Sequence, residues 1–383
     1  MIYYLAFFLV NSTFVIINPY LQVVLNNLGF GFQAVGIFLA CFEGFGILGP
    51  LLVGYIANKK GWYKKLLIFS LLASSLSFYA LAFVDSIFSV ILLLFLTGFF
   101  FRSVAPLMDS IGNFAVQGDS SKYTKLRASG TLGYVVISAS LSLIKKPVID
   151  SNKSIGFWLV IISLIAVLVL IFVPKEEKIE IIKPKSTNKE DNQWYDKGLV
   201  IGLILIGLSR FSMSAVFSFL SLYSIKVVGY TDLTTLNLVA ASSEFFVMIY
   251  SGHLLQTKKV KPVHLLMLGS FAITVRLFIY AFLPGVKFLI IAQVLHSLCY
   301  GAFHAGAMVF INKHVRKDRR GVGISLYYAL ATGLPSVIGS TIGGIIVSNY
   351  GFNTLFISYG LVSLVAVLIG FVFQKTLNDE IAY

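Results

Sequence analysis

Long apolar stretches separated by short polar segments fill the chain. Twelve of these stretches reach about 18 residues or more with very few charged side chains, which is the length and character of transmembrane helices. The stretches are 2–26, 33–57, 65–84, 87–116, 128–145, 155–174, 198–225, 233–255, 263–283, 286–311, 321–347 and 352–374. The sequence therefore predicts an all-α membrane protein with twelve transmembrane helices.

One long polar segment, residues 173–198, separates these stretches into six and six. Its mixed charges are typical of a solvated linker. We predict an N-terminal six-helix bundle over 1–174, a cytoplasmic linker over 175–197 and a C-terminal six-helix bundle over 198–383. A weak repeat supports this division, since "GYIANKK" after the second stretch and "GHLLQTKK" after the eighth each place a glycine four residues before an amide.

Composition and charge support the membrane assignment. The chain is 57% hydrophobic and 12% charged, whereas soluble domains average about 45–50% and about 25%. The net charge is +14, but 22 of the 30 lysines and arginines lie in predicted segments on one side of the membrane and five on the other. This asymmetry follows the positive-inside rule. We therefore predict an integral plasma (inner) membrane protein with cytoplasmic N- and C-termini and no nucleic-acid partner.

Ionisable residues inside the predicted spans are the first candidates for function, because a charge in the bilayer is costly. Arg102 and Asp109 are seven residues apart, nearly two helical turns, and so share one face of the fourth span. Three acids and three arginines suggest pairing within the membrane, and ion pairs that only join helices are the structural alternative. The candidates are Glu43, Arg102, Asp109, Arg210, Glu244, Arg276, His296 and His304.

The segment "GYIANKKGWYKK" (54–65) resembles the signature of the loop between the second and third helices in the major facilitator superfamily. Gly54, Gly61, Lys64 and Lys65 match that signature, and Asn58 stands where the family has aspartate. The resemblance implies two six-helix bundles, each built from inverted three-helix repeats. It also implies that these residues form a gating loop, and the aspartate-to-Asn58 departure leaves the bias between inward and outward states open.

The segments "GFFFRSVAPLMD" and "YTKLRASGTLGY" resemble the fourth and fifth helices of lactose permease and its relatives. The resemblance implies that Asp109 and Arg127 hold sugar hydroxyls and that the ring of Tyr134 stacks on the sugar. A carboxylate accepts hydrogen bonds and a guanidinium donates them, so the pair suits hydroxyls or a carboxylate. Other candidates for substrate binding or cavity lining are Arg102, Arg210, His304, Tyr20, Tyr300 and Tyr328.

The second half continues this resemblance. "ASSEFF" holds Glu244, "ITVRLF" holds Arg276 and "QVLHSLCYGAFH" holds His296, which is the order of acid, arginine and histidine in lactose permease. "LHSLCYGAFHAGA" with the later "GISLYYALATGLPSVIGSTIGG" resembles the phenylpropionate-permease-like branch of these proton symporters more closely still.

Two residues depart from the lactose permease pattern. Cys299 occupies the position of the glutamate that carries the proton there, and Gln293 occupies that of a lysine. If the protein couples transport to protons, another group must bind them. We predict that Glu244 is the main proton-binding residue and that it lies close to Arg276 and His296. The candidate proton-coupling residues are Glu244, Arg276, His296 and Glu43, with Asp109 and His304 as further possibilities.

No pattern in the sequence points to an enzyme, a metal or a cofactor. "GFGILG" (44–49) matches G-x-G-x-x-G, but it lies in a predicted span without a preceding strand. Close helix packing by small residues is the better interpretation. The sequence shows no P-loop, no Cys/His group with zinc spacing and no nucleophile–base constellation.

The sequence therefore predicts a secondary active transporter, a monomer in the lipid bilayer, that moves a small polar organic solute together with protons by alternating access. A sugar or oligosaccharide is the first substrate class, and an aromatic carboxylate is the second. An exporter of amphipathic compounds often has a more apolar cavity with fewer paired charges. A non-transporting sensor is expected to carry an extra signalling domain, which these 383 residues do not indicate.

Overall fold

The structure, a computed structural model, describes residues 1–117, 120–144, 151–174, 195–316 and 319–379. Most of the predicted linker, 175–194, lies outside the described residues. The α-helices are α1 (Ile2–Ser12), α2 (Phe14–Asn27), α3 (Phe32–Lys60), α4 (Tyr63–Ala80), α5 (Ile87–Ala115), α6 (Ser120–Ile144), α7 (Asn152–Phe172), α8 (Lys197–Tyr223), α9 (Leu233–Gln256), α10 (Pro262–Phe282), α11 (Val286–Val294), α12 (Phe303–His314), α13 (Arg320–Leu326), α14 (Leu334–Val372) and α15 (Gln374–Asn378). A 3-10 turn, Leu81–Phe83, and three π-helical segments, Ser224–Val228, Ser297–Ala302 and Tyr327–Gly333, extend or join these helices.

Eleven stretches of the described residues are long and apolar enough to cross a membrane. The last of them, Val322–Val372, has 51 residues. Gly351, with φ 82°, breaks the helix inside α14, so this stretch holds two crossings and the described residues supply twelve. Large apolar side chains such as Phe88, Phe172 and Phe246 are exposed, as a lipid-facing surface requires. The predicted all-α membrane fold is confirmed.

The contacts divide the chain into two compact units. Over their described residues, one unit holds Met1–Glu180 and Ser224–Leu238, and the other holds Ile181–Tyr223 and Val239–Tyr383. Each unit has an apolar core of its own, around Leu107 in the first and around Phe310 in the second. The predicted bundle boundaries at 174 and 198 remain predictions.

The segment Ser224–Leu238 belongs to the first unit and makes a polar contact with α6. Ser142 donates a hydrogen bond to Asp232 at 2.8 Å, and its hydroxyl lies 2.6 Å from that of Thr235. Burial alone raises the pKa of Asp232, but donation from Thr235, Thr234 and Ser142 outweighs it and lowers this pKa below the usual value. Asp232 therefore stays ionised and keeps these hydroxyls as donors.

A second polar contact ties three helix ends together in the other unit. Asp196 caps α8, since its carboxylate accepts from the amide of Leu199 at 2.7 Å. His314, at the end of α12, has Nδ1 2.8 Å from the carboxylate of Asp196 and Nε2 3.2 Å from the carbonyl oxygen of Leu377 in α15. This histidine therefore joins the ends of α8, α12 and α15.

Glycines bring α3 and α5 into backbone contact. A Cβ added to Gly49 would lie 1.9 Å from the carbonyl oxygen of Phe99, and one added to Gly98 would lie 2.5 Å from that of Phe42. Both distances are far inside van der Waals contact, so only glycine allows this approach. The structure thus supports close packing as the role of "GFGILG".

We expect Gly49→Ala to lower the stability of the folded protein by about 1–3 kcal/mol or more, because the methyl group forces two helix backbones apart. Gly252→Ala in α9 is the matched control, since nothing lies within 4 Å of its added Cβ. That substitution should be neutral or slightly stabilising. The melting temperatures of the detergent-solubilised variants measure both effects, and an unchanged melting temperature for Gly49→Ala would contradict the packing described here.

Candidate functional site

An ion pair lies in the middle of the first unit. Arg102 of α5 donates through Nη2 to the Oε1 atom of Glu43 in α3. The Arg102 guanidinium also lies over the ring of Phe42, 5.3 Å from its centroid. Gly46 makes room for the arginine, because a Cβ there would lie 2.6 Å from its Cγ. The two charges therefore neutralise each other across the α3–α5 contact.

A second pair joins α5 and α6. Arg127 Nη1 lies 3.7 Å from Asp109 Oδ2, and their side chains are 61% and 32% exposed. Asp109 lies six residues before the end of α5, about 9 Å along the helix. Tyr123 lies beside both groups; burial, and then the charge of Asp109, raise the pKa of this tyrosine to about 12. Its hydroxyl therefore keeps its proton next to the Asp109 carboxylate.

Arg102 and Asp109 share a helix but have different partners. Arg102 pairs with α3, whereas Asp109 pairs with α6. Tyr134 follows Arg127 by seven residues in α6 and is half-buried. The spacing places Tyr134 on the same helix face, about 10 Å further along the axis.

The predicted gating-loop residues sit at the end of α3. Gly61 closes the helix with φ 68°, the left-handed conformation that glycine adopts without strain. Asn58 accepts a hydrogen bond from the hydroxyl of Tyr63 at 3.3 Å. Gly54 has open space at its Cβ position, and Lys65 lies over the ring of Trp62 at 5.4 Å. Their role in gating remains a prediction.

Lys64, within the same signature, caps another helix. Its Nζ donates to the carbonyls of Ile171 and Val173 at 2.8 and 2.5 Å. These carbonyls belong to the C-terminal end of α7, where a cation is favoured by the unpaired carbonyls and the helix dipole.

A charge chain connects three helices of the second unit. His296 Nε2, following α11, lies 3.5 Å from Glu244 Oε2 of α9. On the other side of the ring, Nδ1 lies 2.9 Å from Arg276 Nη1 of α10. An arginine only donates, so Nδ1 must accept and the ring hydrogen sits on Nε2, facing the carboxylate. His296 is therefore a neutral bridge between Glu244 and Arg276.

Arg276 is 1% exposed and is bound by neutral acceptors. Besides His296, its Nε donates to the hydroxyl of Tyr280 at 2.9 Å and its Nη2 to Gln293 Oε1 at 2.5 Å. Cys299 also contacts Arg276. Gln293 and Cys299, the two departures from the lactose permease pattern, thus both lie against this arginine.

Arg210 of α8 is also buried, at 3% exposure, but its surroundings differ. Its Nη2 donates to the hydroxyl of Tyr327 at 3.0 Å. Its guanidinium lies 4.9 and 5.1 Å from the ring centroids of Tyr300 and Phe303. Its Nε has no hydrogen-bond partner, and no described carboxylate forms an ion pair with it.

Stacked rings connect the two arginines. The ring of Tyr300 is stacked on His296 at 5.6 Å and on His304 at 5.8 Å, with interplanar angles of 8° and 11°. His304 Nδ1 lies 3.0 Å from the hydroxyl of Tyr327. Tyr300 lies in the π-helical segment Ser297–Ala302 and Tyr327 begins the segment Tyr327–Gly333. Such segments often occur at functional sites, because the wider turn redirects side chains.

Sequence reasoning missed Tyr280 and Tyr327, the tyrosines bonded to the two buried arginines. It pointed instead to Tyr328, which is 53% exposed. A change of register at a π-helical turn leaves no regular pattern in the sequence. The spacing of Tyr280 from Arg276, four residues along one helix, was a signal that could have been used. Among the described residues, no group of three His, Cys, Asp or Glu side chains could hold a metal ion.

Membrane-crossing helices in two units, with buried charges inside them, are the features of a membrane transporter. The model of the MFS_1-like family matches residues 1–358, and the chain belongs to this family. It is an integral membrane protein and a secondary transporter of the major facilitator type, not an enzyme.

Solved structures agree on the fold. A mutant of the nucleoside transporter NupG is 15% identical, with a TM-score of 0.82 over 97% of this chain and 98% of that chain. A POT family transporter in complex with a thioalcohol-conjugated peptide is 11% identical, with a TM-score of 0.79 over 99% and 96%. A bacterial homolog of the human lysosomal transporter Spinster is 14% identical, with a TM-score of 0.72 over 98% and 96%. No curated protein sequence matches the chain.

Proposed function

We propose that the protein is a monomeric proton symporter that imports a small polar organic solute through the plasma (inner) membrane, with both termini cytoplasmic. The observation that carries this proposal is the position of Glu244. Glu43 and Asp109 are paired directly with arginines, whereas Glu244 faces the neutral ring of His296. Glu244 can therefore take up a proton without breaking an ion pair with an arginine.

The chain from Glu244 to Arg276 provides a route for coupling. A protonated Glu244 no longer offers a full negative charge to the Nε2 hydrogen of His296, so this contact weakens. His296 also holds Arg276 through Nδ1, and a change in its position alters the bonding of that arginine. Proton binding at α9 is thus transmitted to α10, which alternating access requires of a coupled transporter.

The two candidate classes of solute are inferred from different residues, one set in each unit. Asp109, Arg127 and Tyr134 resemble a sugar site, and a carboxylate–guanidinium pair binds hydroxyl groups well. We therefore keep a sugar or oligosaccharide as one candidate, in line with the lactose permease branch. An aromatic carboxylate is the second candidate, because Arg210 lies among aromatic rings in the other unit.

Uptake into proteoliposomes tests the proposal. With an alkaline interior, we expect labelled sugars or aryl carboxylates to accumulate above equilibrium and the external medium to become more alkaline. A protonophore should abolish both effects, because the proton gradient supplies the driving force. Uptake that ignores the protonophore and moves no protons would identify facilitated diffusion instead. Counterflow of the same labelled solutes shows which class is carried.

A further inference from the structure

The interior of the second unit carries an uneven charge. Arg210 lies over the ring of Tyr300, Arg276 is bonded to the stacked ring of His296, and Glu244 is the described carboxylate that contacts this histidine. His296 is neutral in its hydrogen-bonding arrangement. Two guanidinium groups therefore accompany one carboxylate, and that carboxylate contacts His296, the ring that is bonded to Arg276. The excess positive charge is located at Arg210.

A buried guanidinium without a counter-ion is costly. The desolvation penalty of a buried ion is several kcal/mol, whereas a desolvated cation–π contact contributes about 2 kcal/mol. Arg102 avoids this penalty through Glu43, and Arg276 uses three hydrogen-bond acceptors. Arg210 has one hydroxyl acceptor, two ring faces and an Nε without a partner. The fold holds a cation here that its own residues leave incompletely compensated.

We propose that Arg210 is the centre of an anion subsite that binds a carboxylate, or a similar oxyanion, of the transported solute. This inference rests on the proposed transport function and names the charge of its substrate. A guanidinium presents parallel N–H donors that match the two oxygens of a carboxylate. The rings of Tyr300 and Phe303 add flat apolar walls, which suit a planar or apolar group next to that carboxylate. Tyr328 lies beside Tyr327, with 5.0 Å between the ring centroids, and is exposed.

The subsite has a consequence for coupling. A monoanion bound at Arg210 and a proton bound at Glu244 together carry no net charge. Symport of this pair in a one-to-one ratio is electroneutral, whereas symport of a neutral sugar with a proton carries one positive charge inward. A potassium diffusion potential set with valinomycin should therefore leave the uptake of the anion unchanged, while a pH gradient drives it.

Thermal stability tests the subsite without knowledge of the natural solute. The probes are three matched pairs at equal ionic strength: acetate and acetamide, benzoate and benzamide, glucuronate and glucose. We expect at least one anion to raise the melting temperature of the detergent-solubilised protein above that given by its neutral partner. Arg210→Gln should lose this upward shift. In the absence of anions, Arg210→Gln should melt at or above the wild-type temperature, because it removes an uncompensated buried charge.

Lys287→Gln is the matched control, since it removes an exposed positive charge from the same unit and should respond to the anions as the wild type does. Arg210→Lys replaces Arg210→Gln if the latter does not fold; it keeps the charge, loses the two-pronged geometry and should show a smaller anion shift. The subsite is wrong if no anion exceeds its neutral partner in the wild type, if Arg210→Gln keeps the shift, or if Arg210→Lys, where it replaces Arg210→Gln, shows the full wild-type shift. Failure of the protonophore test with the anion shift intact would remove proton coupling and leave the subsite standing.

Discussion

Glu244→Gln should abolish uphill accumulation of solute and leave exchange across the membrane largely intact. Glutamine has nearly the shape of a protonated glutamate but cannot release a proton. The variant therefore fixes the chain through His296 to Arg276 in its proton-loaded form. Exchange of labelled for unlabelled solute needs no proton release, whereas net accumulation needs it in every cycle.

Two measurements separate these steps. Accumulation driven by an alkaline interior should fall in Glu244→Gln until the solute only equilibrates across the membrane, and counterflow at equal pH should stay near the wild-type rate. Glu43→Gln is the matched comparison, because the side chains of Glu43 and Glu244 are both 24% exposed. It removes an equally accessible carboxylate from the other unit.

The comparison decides which carboxylate binds the proton. Glu43→Gln leaves Arg102 without its counter-ion, so we expect reduced stability, with any remaining transport still driven by the pH gradient. If Glu244→Gln still accumulates solute and Glu43→Gln does not, the proton site is Glu43. If both variants accumulate solute, Asp109 becomes the candidate.

The sequence predicted the fold well because membrane crossing is a one-dimensional signal. About 20 apolar residues are needed for each crossing, and a chain that must bury its backbone polar groups in lipid has few alternatives to a helix. Hydropathy along the chain does not predict details that depend on local backbone geometry. The break at Thr13 between α1 and α2 and the π-helical segment Ser297–Ala302 both lie inside predicted continuous spans.

The sequence predicted many residues of the candidate site, but it predicted few of the contacts between them. Helical periodicity predicted that Arg102 and Asp109 share one helix face, and both lie in α5. Periodicity carries no information about which neighbouring helix supplies each partner. The sequence predicted Glu244 close to Arg276 and His296, and in the structure His296 contacts both of them. This difference matters for mechanism, since a direct ion pair would hold Glu244 ionised.

The lack of a counter-ion for Arg210 among the described residues was found from the structure and not from the sequence. In the sequence, three acids and three arginines inside the spans balance to zero. In the structure, Asp109 pairs with Arg127, an arginine near the start of α6 that the count had left out. With Arg127 included, four arginines accompany three acids. Arg276 is linked to Glu244 through His296, and Arg210 is the buried arginine for which the described residues supply no such link.

The Asp109–Arg127 pair should respond to a charge swap in a way that separates substrate binding from helix pairing. We expect Asp109→Asn and Arg127→Gln each to lower transport by about tenfold or more, because each removes a charge-assisted hydrogen bond to the solute, worth about 1.5–3 kcal/mol. The double variant Asp109→Arg with Arg127→Asp restores an ion pair between α5 and α6. If the pair holds the solute, the swap should recover the melting temperature but not uptake, since donor and acceptor now face the wrong groups of the solute. If the swap recovers uptake as well, the pair only joins the two helices, and the substrate contacts of the first unit lie elsewhere.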